Sequence, residues 1–248
     1  MEEIKQAWNL KAKNFPRYKE GQKDNLEILQ FFRDCGVDFK DKTILDIGCG
    51  NGRFSLELAK EAKEILGLDI SSAMIEALQE DAKKMDFFNI KTKISTWEDF
   101  VIEKPFDIAF ASMTPALNNK KNFLKALESY SFGLCYVGWG RVRKSSFLEG
   151  ILKEHGLNLE LPVGLPNVLS WLEELGVKTP PFVYKQSNFR HTKDIQKAIL
   201  DAEFAIRVHG GEANKNLIED YVKALAKEGK VVYEEEREIG LAFIAKHQ

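Results

Sequence analysis

Ile44-Leu45-Asp46-Ile47-Gly48-Cys49-Gly50-Asn51-Gly52 decides how this 248-residue chain is read. An apolar run with an acid inside it passes into three glycines at alternate positions, and an amphipathic helix is expected to begin near Arg53. Glycines so spaced let the backbone turn tightly and approach a ligand closely, because no Cβ intervenes. Strand, turn and helix together make a cradle shaped for a nucleotide. A dinucleotide fingerprint needs Gly-x-Gly-x-x-Gly, whereas here the third glycine comes one residue early and Arg53 takes the place of close helix packing. Asp46 argues in the same direction, since a carboxylate beside a phosphate-binding turn repels a pyrophosphate and welcomes a cation.

Around this turn, from Lys42 to Trp139, short apolar runs alternate with amphipathic stretches, the rhythm of βαβ units and a mainly parallel sheet. Five strands are expected: Thr43–Ile47, Glu64–Asp69, Ile90–Ile94, Phe106–Ala111 and Ser131–Trp139. Met74, Ile75, Leu78, Ala82 and Met85 recur at helical spacing behind Ser71 and Ser72, which are placed to cap the helix. Near Gly150 the texture changes to helices separated by prolines, and four of the seven prolines fall between Pro162 and Pro181. Helices are expected at 146–155 and 166–175, forming a lid, then a strand at 182–187, helices at 192–204 and 213–226, and a closing strand pair over 231–245.

A chain of this length buries a large core in one domain without staples. Apolar residues make up 44% and charged residues 30%, ordinary for a soluble globular protein and unlike a disordered one. Lys and Arg total 36 against 38 Asp and Glu, so no bulk field gathers polyanions and nucleic acid is disfavoured. Cys35, Cys49 and Cys135 are odd in number and far apart, which fits free thiols and a cytoplasmic location. The amino end has no apolar core of a secretory signal, no run approaches a membrane span, and no membrane partner is expected. His155, His191, His209 and His247 show no paired spacing, so no metal site is expected. Glu234-Glu235-Glu236 reads as the exposed face and flank of an edge strand.

Asp46 to Gly52 resembles motif I of the class I S-adenosylmethionine-dependent methyltransferases, and Leu68-Asp69-Ile70 resembles their motif II. The resemblance covers Trp8 to Trp139 and extends to the rest in outline. It implies one α/β domain over 1–248: a doubly wound, Rossmann-like, seven-stranded and mainly parallel sheet of order 3-2-1-4-5-7-6. Within it, 1–40 would supply an amino-terminal helical cap and first helix, 41–140 the cofactor-binding core, 141–181 a helical cap insertion, and 182–248 the sheet edge and its helices. The resemblance also implies S-adenosylmethionine as cofactor. Gly48, Cys49 and Gly50 would face its methionine end together with Ser112, and Ile70 would pack on the adenine. Asp69 lies 17 positions beyond Gly52 at a strand tip, where a carboxylate accepts hydrogen bonds from both hydroxyls of a ribose; the competing reading is a helix cap.

The segment that contacts adenine in this family falls on Thr96-Trp97, with threonine where an acid is usual; an ordinary loop with a packing tryptophan is the alternative. Trp8 to Phe15 resembles the amino-terminal segment that covers the cofactor in small-molecule methyltransferases, with phenylalanine in place of tyrosine, and this draws attention to three aromatics, Trp8, Phe15 and Tyr18. They either wall an acceptor pocket, with Met113 beside them, or belong to the core. In this family, amino-group methylation of DNA goes with Asn or Asp before two prolines and an aromatic, and cytosine carbon methylation with Pro-Cys. Ala111-Ser112-Met113-Thr114-Pro115-Ala116-Leu117 contains neither, which favours a small-molecule acceptor. Alignment and exclusion of water suffice for methyl transfer, so no catalytic residue is assigned. A nicotinamide-dependent oxidoreductase and a non-catalytic cofactor-binding subunit are the other two readings, and neither acceptor nor oligomeric state is written in the sequence.

Overall fold

The computed structural model describes residues 2–246. The chain opens with α1 (Glu2–Ala12) and α2 (Lys23–Asp34), then enters the sheet through β1 (Thr43–Ile47). A single helical turn, α3 (Ser55–Leu58), leads to β2 (Glu64–Asp69), α4 (Ser72–Lys84), β3 (Ile90–Ile94), β4 (Phe106–Ser112) and α5 (Lys120–Glu128). The remainder comprises β5 (Tyr130–Ser145), α6 (Ser146–Glu154), α7 (Leu165–Glu174), β6 (Phe182–Asp194), α8 (Ile195–Val208), α9 (Lys215–Leu225) and β7 (Lys230–Ala245). The seven strands lie in the order β3-β2-β1-β4-β5-β7-β6, with β7 antiparallel to both its neighbours.

β1, β2 and β4 are dominated by buried apolar residues, as strands covered by helices on both faces require, whereas β3, at the sheet edge, sets three polar residues between two isoleucines. On one face Leu45, Ile47, Ala109 and Leu134 meet Phe123 of α5 and Leu165, Val168 and Leu172 of α7. On the other, Ile44, Ile65, Ile108 and Phe110 meet Ile28, Leu29 and Phe32 of α2. Phe110 anchors that layer, with the Phe54 and Phe32 rings 4.9 and 5.7 Å from its own. Full burial of each such ring contributes about 2–3 kcal/mol relative to exposure.

The carboxyl half departs from expectation in five places. The helix at 165–174 is not a lid: it lies against the sheet beside α5. The covering layer consists instead of α6, α8 and α9, packed on one another through Phe147, Ile151, Ala202, Ile206 and Ile218, while α1 spans from α4 to α8. β5 runs six residues past Trp139, and β6 continues to Asp194, so α8 begins at Ile195 rather than Thr192. Residues 231–245 are one strand and not a strand pair; the partner is β6, from Phe182↔Ala242 to Asp194↔Lys230. Because β7 lies between β5 and β6, Glu234 to Glu236 do not sit on an edge. Two of them are engaged from the flanking strands, Glu236 by Lys144 of β5 at 3.2 Å and Glu235 by a hydrogen bond with His191 of β6 at 3.0 Å. His155 and His209 close α6 and α8, each ring facing the carbonyl four residues back, and His247 lies outside the described residues.

Candidate active site

The turn after β1 folds as its glycines require. Gly48, Gly50 and Gly52 have φ of +69°, +54° and +88°, a region open to glycine at little cost. A Cβ at Gly48 would run into the Thr114 hydroxyl, and one at Gly52 into the Leu78 side chain of α4. Gly52 therefore supplies the close helix packing for which a dinucleotide fold uses a glycine one residue later.

Asp69, at the tip of β2, closes the other side of the turn. Its Oδ2 accepts from the Gly50 amide at 2.9 Å and its Oδ1 from the Ser71 amide at 2.8 Å, while Ser71 caps α4. Burial holds the Asp69 carboxyl above the usual range, although both amides pull it down. Asp46, 3% exposed, accepts from the Ser55 hydroxyl at 2.5 Å. Burial pushes its carboxyl up to about 7, Ser55 opposing the rise and nearby Asp69 adding to it.

These groups line a cavity of about 240 Å³ at the carboxyl ends of β1, β2 and β4. Asp46, Gly48, Cys49, Gly50, Asp69, Ile70, Thr96, Trp97 and Ser112 all reach its wall. Two of them face it under other commitments. Thr96 Oγ1 both donates to and accepts from Asp99, closing a local turn, and Trp97 is 2% exposed with Nε1 donating to the Asn122 carbonyl at 2.9 Å. Sequence reasoning missed Arg53, Met74, Glu98 and Thr114 on the same wall. Of these Thr114 had a signal, since it follows the β4 loop positions already singled out. The charged lining is acidic: Asp46, Asp69 and Glu98 against one arginine, Arg53. Such a wall attracts a cation and disfavours a pyrophosphate.

A second cavity of about 970 Å³ adjoins the first. Trp8, Phe15, Asn51, Arg53 and Met113 line both. Met113 holds φ +49°, with its amide bonded to the Val137 carbonyl at 2.7 Å; such strain in a non-glycine residue gathers at functional sites. Tyr18 lines the larger cavity, but its hydroxyl donates to Glu57, and burial pushes it up to about 12. The floor is one face of the extended β5, β7 and β6, and α1 and α8 contribute walls.

A Rossmann-like sheet of this order, with a glycine turn after β1 and an acid at the tip of β2, is the fold of the class I methyltransferases. Residues 38–144 match the family model of a methyltransferase domain. Malonyl-[acyl-carrier protein] O-methyltransferase 1 of Ilyobacter polytropus is 32% identical over 113 residues, covering 45% of this chain and 41% of the relative. Ribosomal protein L11 methyltransferase of Legionella pneumophila is 32% identical over 96 residues, covering 38% and 32% respectively. The matches thus span less than half the length of these curated relatives. A SAM-dependent methyltransferase from Thiobacillus denitrificans, solved with S-adenosyl-L-homocysteine, superposes with a TM-score of 0.53 at 14% identity over 94% of this chain and 96% of that one. Over residues 38–144 the chain is thus similar to methyltransferase domains, and its fold is that of the solved S-adenosylmethionine-dependent enzyme. Among the described residues no group of acids, histidines and cysteines is arranged to hold a metal, and no helix is long and apolar enough to cross a membrane.

Proposed function

We propose that the chain transfers the methyl group of S-adenosylmethionine to a small molecule held in the larger cavity. The observation that carries this reading is that an acidic, glycine-floored cavity opens through shared walls into a second, roomier one. Asp69 would accept from the ribose hydroxyls, Gly48, Cys49 and Gly50 would let the methionine end approach the backbone beside Ser112, and Ile70 would pack on the adenine. Trp97 would back that ring from within the core, and Thr96 would shape the loop. Asp46 would complement the positive charge through space. The cofactor supplies a carbon made electrophilic by its sulfonium, so an aligned lone pair displaces the sulfur. This chain's part is alignment and the exclusion of water, served by Trp8, Phe15 and Met113 at the opening.

The acidic wall speaks against a nicotinamide dinucleotide, whose pyrophosphate would face Asp46 and Asp69 without a balancing cluster of cations. Incubation with methyl-labelled S-adenosylmethionine and fractionated cell extract, followed by mass spectrometry, tests the acceptor class. Label is expected in small molecules. Label chiefly in RNA or protein would overturn the small-molecule reading, and no transfer to any fraction despite tight cofactor binding would favour a non-catalytic subunit.

A further inference from the structure

Arg143 and Arg237 face each other across the β5·β7 ladder, 94 residues apart in sequence. Like charges directly opposite in an antiparallel pair are destabilising, and here both guanidinia are half-buried in the wall of the larger cavity. Each lies over an aromatic ring, Arg143 at 4.6 Å from the centre of Trp139 and Arg237 at 4.2 Å from that of Phe189. The rings hold the cations in place without neutralising them. Among the described residues neither arginine forms an ion pair, and Arg143 Nε is a buried donor with no acceptor.

Most other charges of this cavity are already matched. Lys11 and Lys193 share Asp201, Lys185 pairs with Glu27, and Glu235, two positions along β7, is engaged by His191. A third half-buried guanidinium, Arg53, gives its Nε to Asn25 rather than to an acid, and it lines both cavities. The acids left over are Asp24, which is exposed, and Glu203 on α8. Burial pushes the Arg143 and Arg53 guanidinia down, and the charge of Arg237 lowers both further, against opposing pulls from Glu235 and Asp24 respectively. Three cations are thus assembled at an energetic disadvantage in one cavity, and one of them, Arg53, also lines the proposed cofactor cradle.

We infer that the acceptor carries an oxyanion group, a carboxylate or a phosphate, bound between Arg143 and Arg237, with Arg53 directing the rest of the molecule toward the opening at Met113. Planar guanidinium forks present paired N–H donors that match either anion, and the anion would remove the repulsion across the ladder. Of the two cavities only the larger has this cationic excess; the smaller is acidic. The inference rests on the larger cavity being the acceptor site, as proposed above.

The test titrates the full chain with inorganic phosphate and, separately, with citrate at matched ionic strength, following tryptophan fluorescence, since Trp139 lies under Arg143. A saturable response to at least one anion is expected, and the stronger one identifies the group. In Arg143→Gln and Arg237→Gln the affinity should fall about tenfold or more, the range for lost hydrogen bonds to a charged group. Both variants should melt no lower than the wild type in the absence of anion, because the like-charge pair is gone. S-adenosylhomocysteine affinity, measured alongside, should stay within about twofold. No saturable response to either anion, or variants that respond like the wild type, would overturn the inference. A wild-type chain that binds the anions through these arginines but not S-adenosylhomocysteine would strike the cofactor reading instead.

Discussion

Replacing Asp69 with asparagine keeps the side-chain volume and removes one charge from the point where β2 meets the glycine turn. The carboxylate now accepts from Gly50 at 2.9 Å and from Ser71 at 2.8 Å. Those bonds leave part of its capacity of roughly four acceptor positions, and the residue lines the smaller cavity. Asparagine has one carbonyl, so it satisfies one amide and turns its own NH2 toward the other. A buried N–H left without an acceptor costs about 1–3 kcal/mol, partly offset because the desolvation that raises the Asp69 pKa no longer applies. That change is present with or without ligand, so it lowers the melting temperature by a few degrees and cancels from the binding constant. The binding constant instead registers the lost charged acceptor for the ribose hydroxyls, about 1.5–3 kcal/mol, or roughly a 10- to 100-fold weaker Kd. Calorimetric titration of wild type and Asp69→Asn with S-adenosylhomocysteine, each checked for a cooperative thermal transition, measures both quantities. A folded variant whose Kd stays within about twofold of wild type would remove Asp69 from the ribose.

Gly52→Ala combines a left-handed backbone with a Cβ driven into Leu78. A loss of about 3 kcal/mol is expected from strain and overpacking, seen as a lower urea midpoint at unchanged slope; a midpoint shift worth under about 0.5 kcal/mol would show that the turn yields freely. Asp46 has a pKa raised to about 7, so it is neutral below that pH and anionic above it. The stability this group contributes is present below about pH 4, its unfolded value, and is lost as pH rises to about 7. A cationic ligand prefers the ionised form, so the affinity of S-adenosylmethionine relative to the uncharged thioether of S-adenosylhomocysteine should rise between about pH 6 and 8. Asp46→Asn should flatten that rise, and a ratio flat with pH in the wild type would exclude the through-space role of Asp46.

The amino half was legible because burial on both faces imposes its own signature. Ile44, Leu45, Ile65, Leu68 and Phe110 sit in short apolar runs that only a covered parallel strand needs, and the observed bounds of β1, β2 and β3 coincide with the expected ones. The carboxyl half hid its strands in polar residues. From Asn188 to Asp194 β6 alternates exposed and half-buried positions, but the inward ones include His191 and Lys193, so the period of two carries charge where a strand pattern is sought as hydrophobicity. The pattern of α7 gave a helix without saying which surface it covers, and the sheet proved to be its partner. In the site, the turn glycines, Asp46 and Asp69 announced themselves through local spacing. The Arg143 and Arg237 pair could not, since only the β5·β7 register brings the two together.

The most direct test of the central claim is a crystal structure of the chain grown with S-adenosylhomocysteine. Density for the ligand is predicted in the smaller cavity, its ribose hydroxyls on Asp69 and its sulfur toward the opening lined by Trp8 and Met113. A cavity left vacant in crystals that hold the compound elsewhere, or the compound bound with its ribose away from Asp69, would contradict the account.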